Sequence, residues 1–146
     1  MNKMALLMIV GMFGILSGCA TTPTIPSNAQ QAPNERILAF QQKTPKTTAT
    51  LIVTRDSGFL GGGCFYSLTI NSILAARLDV GETSRFYLEP GEILLRVGRD
   101  PHGKGLCSVG QEHWTQRETI LRSGEIKYFR LMLDANGAAD IQRSEP

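Results

Sequence analysis

The side chains with the most latent chemistry are three cysteines, Cys19, Cys64 and Cys107, and two histidines, His102 and His113. His102 and His113 flank Cys107 at five and six residues, and thiolate with imidazole is a common zinc donor set. That spacing matches no compact zinc signature, so no metal is expected and the histidines read as loop residues. Hydrolysis is no better supported. Ser57, Ser67, Ser72 and Ser108 lack the Gly-x-Ser-x-Gly elbow that exposes a nucleophile. Asp56 and Asp100 fit turns better than catalysis, Asp56 capping Ser57-Gly58 and Asp100 accepting a bond within Asp100-Pro101-His102-Gly103. The run Gly58-Phe59-Leu60-Gly61-Gly62-Gly63 has the composition of a phosphate cradle without the Lys-Ser/Thr pair or the helix that would hold the anion. Gly103-Lys104-Gly105 is equally incomplete, and no cofactor is expected. Phe59 and Leu60 are of another kind. An apolar pair on a glycine-rich loop either fills a pocket in its own core or reaches a partner, which makes both residues candidate partner contacts.

Cys19 has the strongest context of the three cysteines. It ends the run Leu16-Ser17-Gly18-Cys19, which follows Lys3 and an apolar stretch from Ala5 to Ile15. A cationic start, a short apolar core and small residues before a cut site describe an export signal over residues 1–18. Eleven helical residues span only about 16 Å against a hydrocarbon layer of about 30 Å, too short for comfortable membrane crossing. The four residues resemble the lipobox of bacterial lipoproteins. That resemblance implies cleavage before Cys19, a diacylglycerol on its thiol and an acylated amino terminus. Several acyl chains give durable attachment, since each buried CH₂ contributes about 0.8 kcal/mol and one chain alone is marginal. In the same family an Asp after the cysteine marks inner-membrane retention, and this chain has Ala20 there. The expected address is therefore the outer membrane, facing the periplasm.

Removing 18 of 146 residues leaves 128, enough for one small domain. Residues 19–34 carry three prolines and no charge, and they read as a lipidated start followed by a flexible tether. The remaining 35–146 should be the folded domain. Losing Lys3 leaves 14 basic against 13 acidic side chains, a near balance that argues against a nucleic-acid partner. With Cys19 assigned to lipid, Cys64 and Cys107 remain. Export to an oxidising compartment favours a disulfide between them. It would close 44 residues and contribute about 4 kcal/mol in the chain-entropy picture.

The elements that must position these groups alternate with a period of two. Glu35 to Phe40 is ambiguous between an edge strand and a single helical turn, with a slight preference for the strand. Thr50 to Thr54 is β-branched and ends at Asp56-Ser57-Gly58. Cys64, Tyr66, Leu68 and Ile70 share one face of the next strand, and Asn71-Ser72 suits a tight turn into residues 73–78. Another turn at Asp79 to Glu82 leads to residues 85–88. Pro90-Gly91 fits a type II reversal, joining Phe86 and Leu88 to Ile93, Leu95 and Val97 as an antiparallel hairpin. Strands are expected at about 114–121 and 126–133, then a turn at Asn136-Gly137 and a short strand near 139–142. Trp114 reads as a core residue. Seven to eight short strands without helical periodicity predict an all-β fold, a small antiparallel β-sandwich or barrel. Segments of five to eight residues are too short for a transmembrane barrel.

From Ala49 to about Asp134 the chain resembles small bacterial envelope lipoproteins of the DUF2846 type. The shared features are Arg55-Asp56, the glycine-rich turn before Cys64, Ile70-Asn71 and Leu88-Glu89-Pro90-Gly91-Glu92. The last of these is also similar to PEGA-type β modules. The resemblance implies an envelope β-sandwich with a structural or binding role and no catalytic residues. The expected function is therefore a membrane-anchored, noncatalytic lipoprotein that binds or organises another envelope component, through an envelope protein partner. A small-ligand or peptidoglycan-binding module is the first alternative, and a small hydrolase the second.

Overall fold

A computed structural model describes residues 21–146. The expected signal segment and Cys19 lie outside the described residues. The alternating segments form strands β1 (Gln30–Gln31), β2 (Ala49–Arg55), β3 (Tyr66–Ile70), β4 (Ile73–Leu78), β5 (Glu82–Leu88), β6 (Gly91–Arg99), β7 (Trp114–Leu121), β8 (Ile126–Leu133) and β9 (Ala139–Ser144). They build two sheets, β1-β5-β2-β8-β9 and β4-β3-β6-β7. The all-β sandwich is as expected. Two pairings, β1 with β5 and β2 with β8, are parallel, so the five-stranded sheet is mixed.

Alternation explains the core. Leu51 and Val53, Tyr66 and Leu68, Phe86 and Leu88, Leu95 and Val97, and Leu131 and Leu133 are all buried between the sheets. Full burial of such a side chain contributes about 1.5–3 kcal/mol, which is why the inward phase of each strand is apolar. The expected hairpin of β5 with β6 is not formed, which corrects the sequence reading. β5 pairs with β1 and β2, whereas β6 pairs with β3 and β7. Pro90 therefore turns the chain from one sheet to the other and closes no hairpin. The inward residues are nevertheless those expected, because a strand facing the core across the sandwich has the same period as a strand beside it. Asn71-Ser72 does close a two-residue hairpin between β3 and β4, with φ of 47° and 67°. Those positive angles match the twist of a type I′ turn. Asn71 also extends the sheet, since its amide donates to the Leu94 carbonyl and its Oδ1 accepts from the Leu94 amide, both at 2.9 Å.

The segment expected to be a free tether lies against the domain. Thr22 forms an antiparallel bridge with Ser57, β1 runs beside β5, and Ala32 is buried in the core. Its docking uses backbone groups: Thr22 and Ser57 exchange both amide–carbonyl bonds, while Gln30 and Ala32 donate to Gly81 and Thr83. Such bonds need neither apolar nor charged side chains, so composition alone gives no sign of them. The Glu35–Phe40 segment combines both expected alternatives, as a short 3₁₀ turn at Asn34–Arg36 and a single bridge from Ile37 to Ala76 on the edge of β4.

Register divides the connections between two ends. Tyr66 lies opposite Arg99 and Leu78, and Leu133 lies opposite Ala139. Connections 56–65, 79–81, 100–113 and 134–138 therefore gather at one end, here termed the loop end. The short turns 71–72, 89–90 and 122–125 lie at the other.

Candidate functional site

The loop end is shaped by Arg55, whose position at the end of β2 points it inward beneath the glycine-rich loop. Its guanidinium is buried and donates to three carbonyl oxygens, those of Cys64 and Leu78 at 2.8 Å and Gly61 at 2.9 Å. It also lies over the Tyr66 ring at 4.7 Å and 4.0 Å from the Asp79 carboxylate. Burial lowers its pKa from the ordinary value, partly offset by Asp79. An arginine stays charged in proteins, so the loop closes around a fixed cation. Gly61 takes φ +71°, and a Cβ there would meet the Leu133 side chain, with Tyr66 and Arg55 atoms at 3.2 and 3.3 Å. The requirement for glycine is both conformational and steric.

Cys64 and Cys107 form the expected disulfide, with Cα atoms 5.4 Å apart. It joins the Gly58–Cys64 loop to the 100–113 loop, in which Gly105–Ser108 forms a short 3₁₀ turn. The apolar pair of the first loop divides. Leu60 packs against the core, while Phe59 is fully exposed at 101% of its reference area. Leu106 (86%) and Val109 (64%) are exposed on the loop that the disulfide ties to it. Sequence reading misses these two because single apolar residues among glycines give no periodic signal.

Other buried charges are matched individually. Asp56 accepts from Arg130 and from Thr21 Oγ1 at 3.2 Å. Asp100 accepts two bonds from Arg77 on one oxygen, at 2.8 and 2.5 Å, and its Oδ1 takes the His102 amide at 2.9 Å. Glu82 receives both arms of Arg36 at 2.6 and 2.5 Å, and the bond with Glu82 raises the Arg36 pKa despite partial burial. Charged pairs of this kind satisfy one another and leave little free hydrogen-bonding capacity. The turn role expected of Asp100 is present, but Asp56 is held by Arg130 and Thr21. Neither carboxylate bonds the His102 ring. His113 instead lies 3.3 Å from Glu112 at the surface. Among the described residues no three His, Cys, Asp or Glu side chains gather into a metal-sized cluster.

A cleft of about 700 Å³ opens beside the disulfide-linked loops. Arg99, His113, Trp114 and Asn136 line it, with Tyr66 at its floor. The Tyr66 hydroxyl is buried without a hydrogen-bond partner among the described residues. Such a group costs about 1–3 kcal/mol unless something completes its bonding. Trp114 is not the expected core residue: 52% exposed, it stacks under the Arg96 guanidinium at 4.2 Å. It occupies the outward phase of β7. The inward phase carries Thr115, Arg117 and Thr119, which face polar partners on the other sheet. Thr115 bonds the Ala139 carbonyl at 2.7 Å, Arg117 pairs with Asp140 at 3.0 Å, and Lys127 reaches Thr119 and the Ile120 carbonyl.

No protein-family model matches the chain, and no curated protein sequence matches it either.

Proposed function

We propose that this chain is a lipid-anchored, noncatalytic envelope protein whose loop end binds another envelope component. One observation carries the reading: Val109 and Trp114, both exposed, line one cleft beside loops held by the Cys64–Cys107 bridge and Arg55. Preorganised loops of this kind lose little entropy when they meet a partner. The acids considered for a hydrolase, Asp56 and Asp100, are instead engaged by arginines, which supports binding over catalysis. The resemblance to envelope lipoproteins at Leu16 to Cys19 and from Ala49 onward favours a partner in the outer membrane or periplasm.

Photo-crosslinking in intact envelopes tests this reading. A crosslinker at Trp114 or His113 should give discrete adducts that are absent when it sits at Ser123, on the far end. The same products from Ser123, or none from the cleft, would defeat the assignment. A small ligand, such as a peptidoglycan fragment, is favoured by a cleft volume within the usual range for ligand sites. Soluble peptidoglycan fragments should then alter Trp114 fluorescence in a saturable manner.

A further inference from the structure

We infer that the loop end also meets the lipid surface, with Phe59 and Leu106, which stand outside the cleft, and Val109, which borders it, entering the interface as a second, noncovalent attachment. The inference depends on the proposed acylation of Cys19. It adds an orientation and a contact surface that the acyl anchor alone does not specify.

The path of the chain carries the argument. Thr21 is held at the loop end: its amide donates to the Leu133 carbonyl at 3.2 Å and its hydroxyl to Asp56. Thr22 is bridged to Ser57. A Cβ added to Gly58, the neighbour of Phe59, would sit 3.4 Å from the Thr21 backbone. Cys19 is two residues before Thr21, and two extended residues reach about 7 Å. Acyl chains on Cys19 must therefore enter the bilayer close to Gly58. The other end of the sandwich lies a strand length away, about 30 Å for the nine residues of β6. A long flexible tether would have allowed any face to meet the membrane. The docked segment removes that freedom.

The surface placed there has the chemistry of an interfacial site. Phe59, Leu106 and Val109 project from loops fixed by a disulfide and by Arg55, so their exposure is not a product of slack chain. Between Gly58 and Cys64 there is no acidic residue; in the 100–113 loop Asp100 is held by Arg77, Glu112 is exposed beside His113, and Lys104 is exposed near Leu106. Apolar tips with a neighbouring cation suit a surface of anionic headgroups over hydrocarbon. Trp114, half exposed nearby, belongs to the side-chain type that favours that boundary.

The test uses full-length acylated protein in vesicles of phosphatidylethanolamine and phosphatidylglycerol containing a spin-labelled phosphatidylcholine. In a Trp114→Phe background, Phe59→Trp reports on the loop tip and Glu89→Trp on the opposite end. Fatty-acid labelling of the same samples reads the anchor. The expected result is a blue-shifted, spin-label-quenched emission for Phe59→Trp and solvent-like, unquenched emission for Glu89→Trp. Labelled protein with equal, weak quenching at both positions would overturn the orientation while leaving the anchor intact. A blue shift at Phe59→Trp without quenching would identify a second copy as the occupant, and would also overturn it. Absence of label on Cys19 would remove both the anchor and this inference.

Discussion

The guanidinium of Arg55 and the carbonyl of Gly61 meet at 2.9 Å, coupling a buried charge on β2 to a loop position where a side chain would collide with the core. Gly61→Ala should destabilise the protein by about 1–3 kcal/mol through its positive φ and crowding against Leu133. Arg55→Met should cost about 3 kcal/mol, because the Cys64, Leu78 and Gly61 carbonyls lose their donor. Urea denaturation gives both numbers. Equal midpoints for Arg55→Met and wild type would show that water satisfies these carbonyls as well as arginine does.

Replacing Cys64 and Cys107 with alanine should lower stability by about 2–4 kcal/mol. The β circular dichroism should persist, since the core strands do not depend on the bridge. Faster protease cleavage between residues 100 and 113 would locate the released segment. A variant with the wild-type denaturation midpoint would show that the bridge contributes nothing to the fold.

Two turn substitutions should move stability in opposite directions. Gly91 has φ +143°, and a Cβ there would point into open space, so Gly91→Val should lose about 1–3 kcal/mol through backbone strain alone. Ser72 has φ +67° at the second position of the Asn71-Ser72 turn. Ser72→Gly should therefore gain about 0.5–1 kcal/mol, as the left-handed conformation no longer opposes a side chain. Calorimetric midpoints check the pair, and a shift of the same sign in both would refute the turn argument.

Strand positions are legible in the sequence because β-branched and apolar residues alternate. The expected 114–121 and 126–133 match β7 and β8 at both ends. Strand partners are legible only where a tight turn joins them, as at Asn71-Ser72, since alternation separates inside from outside and is silent about which sheet a strand joins. Trp114 misleads for a related reason. Size argues for burial, yet the polar inward set of Thr115, Arg117 and Thr119 leaves Trp114 on the solvent face. The Cys64–Cys107 bridge is accessible to sequence reasoning, whereas for Phe59 and Leu60 the sequence leaves core packing and exposure both open, and the structure divides the pair. The cleft is not, because it joins residues 66, 99, 113 and 136 through long-range pairing.

Asp140 gives a pH signature. Burial raises its pKa, but bonds from Arg117, Gln142 and the Ile141 amide outweigh that effect and hold the carboxyl below its ordinary value. A lowered folded pKa contributes stability that is present above the unfolded value, near 4, and is lost as pH falls through the folded one. Asp140→Asn should therefore lose less stability than wild type between about pH 5 and pH 2. The Arg117 partner is largely solvated, so the difference will be small. Parallel denaturation curves for the two proteins across that range would exclude the contribution.

Cys19→Ser should abolish fatty-acid labelling and release the protein from membranes, or trap it with its first 18 residues attached, because serine cannot form the thioether. Equal labelling of both proteins would eliminate Cys19 as the acylated residue.

The parallel pairing of β2 with β8 has a consequence for how the chain comes to be folded. Thr50 aligns with Ile126 and Arg55 with Leu131, so the centre of the larger sheet joins segments 76 residues apart. Synthesis runs from the amino terminus, and β2 emerges long before its partner. Until β8 appears, one side of β2 has open backbone groups, and Asp56 lacks Arg130. The sheet cannot close around a nascent fragment, which should make folding slow and dependent on almost the whole chain. A polypeptide that stays unfinished until its last segments arrive also stays thin enough to thread.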